Sequence, residues 1–348
     1  MVLQANFIPN PFPAIEGTYN GLVTSEDPPD VASSGSFSIS VTRRGTYSGR
    51  LQVGARNYRF SGRLNAQCRG SISFSQLKQR PLYLALGVGT GTNVGQISGA
   101  LTDGNWLANL SGERAVFDAN NNPAPFAGSY TLVFPGSNTD PTLPAGHGFG
   151  TVRVFRTGLT VLSGWLADGT NVRHTATIST SSNWPLFLPL YSGNGALIGW
   201  PAFNDRRSLA GSGQVTWIKL ADPSAPFFSN GFTNQIETLG SAYVPPSEPS
   251  SRVIPMTNGN LVCSAGNLDT AFTNLLAIAA NGRVTVQGGP GLSLSVLPNS
   301  GLFRGNAVDP SSGQRFAMNG AILQNVNAGF GFLLGTNLSS SVTLESSE

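Results

Sequence analysis

The chain has 348 residues, 40% of them hydrophobic, enough for packed cores and too many for a disordered polymer. Charged residues are only 11%, with a net charge of +3, while Gly reaches 43 and Pro 23; this balance argues against a charge-rich helical protein and for a β-protein kept soluble by hydroxyls and amides. No apolar run approaches the ~20 residues of a membrane helix, and Met1-Val-Leu-Gln-Ala carries neither a basic nor an apolar leader segment, so a leader is expected to be absent or already removed. Strands of a membrane barrel carry a weaker signal and stay open.

Read in chain order, the predicted elements are short strands. After Gly17–Thr24, Phe37, Ile39 and Val41 alternate with Ser38, Ser40 and Thr42 up to a turn at Arg43-Arg44-Gly45. Tyr47, Leu51 and Val53 then alternate with Ser48, Arg50 and Gln52, and after Gly54-Ala55-Arg56 the residues Tyr58, Phe60 and Leu64 alternate with Arg59, Ser61 and Arg63. Side chains alternate faces along a strand, so this is a meander with one apolar and one polar face. Strands around 71–75, 82–88, 95–101 and 106–111 complete about eight. Helical periodicity is confined to one expected short helix, 269–280.

The opening phrase recurs. Gly17-Thr18-Tyr19, Gly128-Ser129-Tyr130 and Gly240-Ser241-Ala242-Tyr243 start 111 and 112 residues apart, and a fixed long period predicts tandem units. Ser48-Gly49-Arg50-Leu51 matches Ser163-Gly164-Trp165-Leu166, and Pro81-Leu82-Tyr83-Leu84 matches Pro185-Leu186-Phe187-Leu188. The expected organisation is an extension over 1–15, an Arg-rich repeat over 16–125, a Trp-rich repeat over 126–238 and a third repeat over 239–348. The predicted fold is all-β: three tandem antiparallel meander units, each a small barrel or strongly curved sheet of about eight strands, because closure removes exposed edges. Sandwich domains are the alternative.

Gly148-Phe-Gly-Thr-Val-Arg-Val, Leu166-Ala-Asp-Gly-Thr, Trp184-Pro-Leu-Phe-Leu-Pro-Leu-Tyr and Gly329-Phe-Gly-Phe-Leu-Leu-Gly-Thr-Asn resemble phrases of an uncharacterised family, the β-rich regions near the C-terminal ends of large secreted or surface proteins of environmental bacteria. The resemblance covers most of 16–345. It implies an extracellular or cell-surface setting, and it brings no catalytic residue because its motifs are turns and strand cores.

Chemistry-bearing residues are few. Lys78 and Lys219 are the only lysines among 20 basic residues. From Val31 to Thr102 there is no Asp or Glu, yet the segment holds Arg43, Arg44, Arg50, Arg56, Arg59, Arg63, Arg69, Lys78 and Arg80, a local +9. Alternation places Arg44, Arg50, Arg59 and Arg63 on the polar face, where their positive potential attracts an anionic polymer; a solvated face, or one docked on the more acidic repeats, is the competing reading. Four of five tryptophans, Trp165, Trp184, Trp200 and Trp217, fall in the second repeat. Trp184, at the start of a strand before a proline, is the one expected to be partly exposed and to stack on a ligand.

His147 and His174 form no recognisable triad with a serine elbow. Glu113, Asp118, Asp205, Asp222 and Glu237 are the carboxylates available for glycoside hydrolysis, which needs two acids facing one cleft. Asp118-Ala-Asn120-Asn-Asn122 departs from a calcium loop at Pro123 and Ser129, so no metal or cofactor is expected. Cys68 and Cys263 make no disulfide framework; both are expected as small buried hydrophobes, with a bridge between repeats as the alternative. The sequence therefore points to a secreted, non-enzymatic binding or adhesion protein for an anionic polysaccharide or cell-surface polymer, without a specific nucleic-acid motif. A carbohydrate-active hydrolase or lyase using carboxylates between repeats, and a structural spacer of a larger extracellular assembly, are the alternatives.

Overall fold

The computed structural model describes residues 9–25, 29–75, 80–203, 208–248, 251–279, 282–287 and 291–347, with 208–212 described by backbone alone. Lys78 and Asp205 lie outside the described residues. The chain separates into two compact units, Met1–Val116 with Ser179–Ser181, and Phe117–Ile178 with Ser182–Glu348.

The first unit holds a four-residue helix, α1 (Phe12–Ile15), and one antiparallel sheet of eight strands. These are β1 (Gly17–Thr24), β2 (Gly35–Val41), β3 (Thr46–Val53), β4 (Arg56–Arg63), β5 (Arg69–Phe74), β6 (Leu82–Val88), β7 (Gln96–Thr102) and β8 (Leu107–Arg114). Their order, β4-β3-β2-β1-β8-β7-β6-β5, is an up-and-down meander curled until its edges β4 and β5 lie side by side. Alternation makes the inner face: Phe37, Ile39, Tyr47, Leu51, Leu84 and Ile97 are buried while Ser40, Ser48 and Ser61 point outward. Rings close the seam. Tyr58 and Phe74 lie 5.1 Å apart, and Phe60 and Phe74 5.8 Å. The Tyr47 ring covers Gly62 on β4 and Gly70 on β5, where an added methyl group would come within 2.5 Å and 2.8 Å of it. At the end where β1 starts, α1 is held by the Arg114 guanidinium, which donates to the carbonyls of Ala14 (3.0 Å) and Glu16 (3.2 Å).

The second unit carries two more eight-stranded sheets. Sheet 2 contains β9 (Gly128–Phe134), β10 (Gly148–Val154), β11 (Leu159–Trp165), β12 (Asn171–Thr177), β13 (Leu186–Leu190), β14 (Gly195–Gly199), β15 (Ser208–Lys219) and β16 (Phe232–Ala242), in the same order as sheet 1. Sheet 3 contains β17 (Asn258–Ser264), β18 (Phe272–Ile278), β19 (Val284–Val286), β20 (Ser293–Leu297), β21 (Leu302–Val308), β22 (Arg315–Leu323), β23 (Ala328–Leu334) and β24 (Ser339–Ser346). Its order, β19-β18-β17-β24-β23-β22-β21-β20, moves the seam one strand earlier. Within this unit the two sheets pack on each other: Phe149 meets Phe332 at 5.8 Å, and the Thr131 hydroxyl donates to the Ile322 carbonyl at 2.6 Å.

Two expectations are corrected. The expected helix over 269–280 is replaced, in its described part, by β18, with Asn274, Leu276 and Ile278 buried and Thr273 and Leu275 exposed, because pairing with β17 and β19 imposes a two-residue period. The three Tyr phrases are also not equivalent. Tyr19 donates to the Ile15 carbonyl (2.8 Å) and Tyr130 to Phe126 (2.7 Å), each four residues back at the opening of a sheet. Tyr243 follows the last strand of sheet 2 and donates to the Pro298 carbonyl. Both cysteines are buried free thiols.

Candidate functional site

The acid-free segment supplies β2 to β7 of the first unit, and Arg50, Arg59 and Arg63 lie on its wall β2–β3–β4. Cross-strand register sets its outer face in rows: Ser38 opposite Arg50 opposite Arg59, then Ser40–Ser48–Ser61, then Ser36–Gln52–Asn57, with Thr46 opposite Arg63 at one end. Directly paired side chains have Cβ atoms about 5 Å apart, so Arg50 and Arg59 present two guanidiniums together. Arg63 follows four residues along the same edge, about 13 Å away at ~3.3 Å per residue. All three are exposed, and none has an ion pair among the described residues.

Arg44 is placed differently from expectation. It sits in the β2–β3 turn rather than on a strand: Gly45 N–H donates to the Thr42 carbonyl (2.9 Å), and Arg44 N–H to the Thr42 hydroxyl (3.3 Å). That turn lies at the Arg63 end of the wall, since Leu64 N–H donates to the Gly45 carbonyl at 2.8 Å. Arg43 beside it is engaged, its Nε 2.6 Å from Glu16 Oε2 in an exposed pair that raises the guanidinium pKa. Arg69, not singled out from sequence, opens β5 at the same end, across a turn in which Asn65 Oδ1 accepts the N–H groups of Gln67 (3.0 Å) and Arg69 (2.9 Å). Arg69 borders a cleft of about 530 Å3 whose lining includes Gln67, Gly87, Asn93, Ser98 and Ala100.

The Trp184 expectation is overturned. Its side chain is 0% exposed, backed by a backbone hydrogen bond to Pro201 (2.9 Å), and its ring lies 5.9 Å from His174 across the seam of sheet 2. Pairing at Asn183–Ala202 turns this residue into the core, so it offers no stacking face. Trp217 is buried as well, and the exposed tryptophan is Trp165, 38% accessible against Phe149.

Of the candidate carboxylates, Glu113 lies on β8 and Glu237 on β16, while Asp118 and Asp222 serve turns. Asp118 accepts from the N–H groups of Asn121 and Asn120, and Asp222 from the hydroxyl and N–H of Ser224; these bonds hold both acids below the usual carboxylate range. A general acid of glycoside hydrolysis needs the opposite shift. Among the described residues, no group of three His, Cys, Asp or Glu side chains is arranged to hold a metal, and no helix is long and apolar enough to cross a membrane. His147 is structural: its Nδ1 accepts from Gly136 N–H (3.1 Å) and its Nε2 meets the Ser341 hydroxyl (3.0 Å). Burial lowers His147 and His174 to about 4.

One polar cluster is buried in the second unit. Asp168 occupies the tight β11–β12 turn, closed by Leu166 N–H to the Thr170 carbonyl (2.9 Å), and its Oδ1 accepts Thr170 N–H (3.0 Å). Its Oδ2 accepts the Tyr191 hydroxyl (2.6 Å) and Lys219 Nζ (3.2 Å), while Trp217 Nε1 donates to the Tyr191 oxygen (3.0 Å). Tyr191 and Ser192 both have left-handed backbones, φ 50° and 55°, a conformation that costs L-residues about 1–2 kcal/mol each. The turn brings the phenol ring beneath the Lys219 ammonium, 4.4 Å from the ring centroid.

No protein-family model and no curated protein matches the chain. Solved structures similar to it include transferrin binding protein B from Haemophilus parasuis, 9% identical, covering 94% of this chain and 75% of that one at a TM-score of 0.23. Transferrin binding protein B from serogroup B Neisseria meningitidis is 11% identical, covering 95% and 76% at 0.21. A DUF3598-family protein of unknown function from Nostoc punctiforme is 11% identical, covering 97% of both chains at 0.16. Likeness at these scores carries no argument about function.

Proposed function

We propose that the protein is a secreted or surface-exposed, non-enzymatic binding protein whose Arg wall takes an anionic glycan or similar cell-surface polymer. The observation that carries this reading is the direct opposition of Arg50 and Arg59, with Arg63 on the same face and no carboxylate in the surrounding segment. Like charges placed directly opposite are unfavourable in a sheet; a bound sulfate or carboxylate relieves that opposition, and the guanidinium fork matches both groups. The neighbouring side chains are hydroxyls and amides, which suit the rest of a sugar. Arg44 and Arg69 extend the basic run around one end toward the cleft.

The test is retention of the full chain on immobilised heparin, with neutral dextran as the control matrix. Retention is expected on heparin alone, to fall steeply with added salt because exposed charges are screened, and to drop in the Arg44→Ser, Arg50→Ser, Arg59→Ser, Arg63→Ser quadruple variant. Unchanged retention of that variant ends the electrostatic reading.

A further inference from the structure

The buried cluster belongs to the second unit and the Arg wall to the first. Lys219 and Asp168 lie on separate elements, at the end of β15 and in the β11–β12 turn, with side chains 6% and 1% exposed. A charged pair taken this far from water is costly; passing the ammonium proton to the carboxylate leaves an amine and a carboxylic acid, both neutral. Those are the two partners from which an amide forms, already held with Nζ 3.2 Å from Oδ2 in a site that restricts water.

We propose that Lys219 and Asp168 condense into an intramolecular amide, tying β15 covalently to the β11–β12 turn. The Nζ lone pair attacks Asp168 Cγ, and the negative charge that develops on Oδ1 is met by Thr170 N–H, its donor at 3.0 Å. Nζ sheds one proton, the Cγ–Oδ2 bond breaks, and Oδ2 departs as water carrying that proton and the acid proton. Tyr191, donating to Oδ2 at 2.6 Å, hands its proton to the leaving oxygen and recovers one from the amine, steadied by Trp217 Nε1. Burial raises the phenol's pKa, so Tyr191 carries its proton when the step begins. One water leaves, and no oxidant, reductant or further reactant enters.

The test is a tryptic digest of the full chain after complete denaturation, read by mass spectrometry. Without the amide, cleavage yields 157–173, 208–219 and 220–252 as separate peptides. With it, Lys219 is blocked, and 157–173 appears joined to 208–252, lighter by one water. Recovery of the three peptides separately, with no joined product, overturns the proposal, and this needs no variant that has to fold. Lys219→Arg keeps the charge and must abolish the joined product; a joined product that survives it places the link elsewhere and also overturns the assignment. In Tyr191→Phe the joined fraction formed after refolding is expected to accumulate at least about tenfold more slowly; an unchanged rate removes Tyr191 from the step.

Discussion

The sheets of the two units share an up-and-down, eight-stranded plan and differ in where they put polar chemistry. Sheet 1 places it outside: Arg50, Arg59 and Arg63 face solvent, and its core is hydrocarbon and ring. The second unit draws polar chemistry inward: Asp168 and Lys219 are 6% exposed, and the only two histidines of the chain stand against buried partners. An outer face of a curled sheet accepts nearly any polar side chain, whereas a buried group must have its partners supplied. The contrast predicts that substitutions of the same chemical size act very differently in the two units.

The largest expected effect is Lys219→Met. It leaves Asp168 buried without the Lys219 nitrogen that partners it, a loss of about 3–5 kcal/mol for a broken buried pair. Tryptophan fluorescence reads this out selectively, because Trp165, Trp184, Trp200 and Trp217 belong to the second unit and only Trp106 to the first. A midpoint shift in the fluorescence transition, with unchanged hydrogen-exchange protection across β1–β8, is the expected result; loss of protection in both units breaks the contrast.

Acid is the next lever. In the unfolded chain each imidazole takes up a proton below about pH 6.5, whereas in the folded second unit His147 and His174 stay neutral down to about 4. Between those values the unfolded state binds more protons. Stability present above pH 6.5 is therefore lost as pH falls through this window, by up to about 3 kcal/mol per histidine. His147→Gln should remove part of that slope in fluorescence-monitored urea unfolding, while sheet 1, which holds no histidine, should show none of it by hydrogen exchange between pH 6.5 and 4. An unaltered slope in the variant shows that His147 is not one of the groups titrating.

Sheet 1 was legible because its strands alternate cleanly; Phe37-Ser38-Ile39-Ser40-Val41 admits one reading. Residues 275–278, Leu-Leu-Ala-Ile, lack that alternation, and only pairing with β17 and β19 settles them as strand. The phrase at Gly240 repeats locally, but its partner β9 lies more than a hundred residues away, so its place at the end of sheet 2 was not readable from spacing. The Arg wall was legible in face and not in detail, since register decides that Arg50 meets Arg59 and that Arg44 caps a turn. The buried cluster spans residues 168 to 219 and has no local signature, although one signal was present: in Val215-Thr-Trp217-Ile-Lys219 the two-residue period puts a rare lysine on the same face as a core tryptophan.

The smallest expected effect separates two roles for the arginines. β4 is an edge of its sheet, and charges on an edge strand discourage pairing with another chain. Two other edges are guarded by other means, Pro189 on β13 and a β19 of three residues. Arg59 and Arg63 lie on that edge; Arg50, on β3, does not. Arg50→Ser should change sheet 1 stability by no more than about 0.5 kcal/mol, in the stabilising direction because a like-charge opposition is removed. It should lower the salt needed for elution from heparin and leave the monomer fraction in light scattering unchanged. Arg59→Ser combined with Arg63→Ser should lower both. If Arg50→Ser elutes as the unsubstituted chain does while the double variant self-associates, the arginines guard an edge and the wall is no ligand site. If the two variants move elution alike and neither self-associates, the seam rings of Tyr47, Tyr58 and Phe74 suffice to protect β4, and the wall's charge is left with the polymer as its reason.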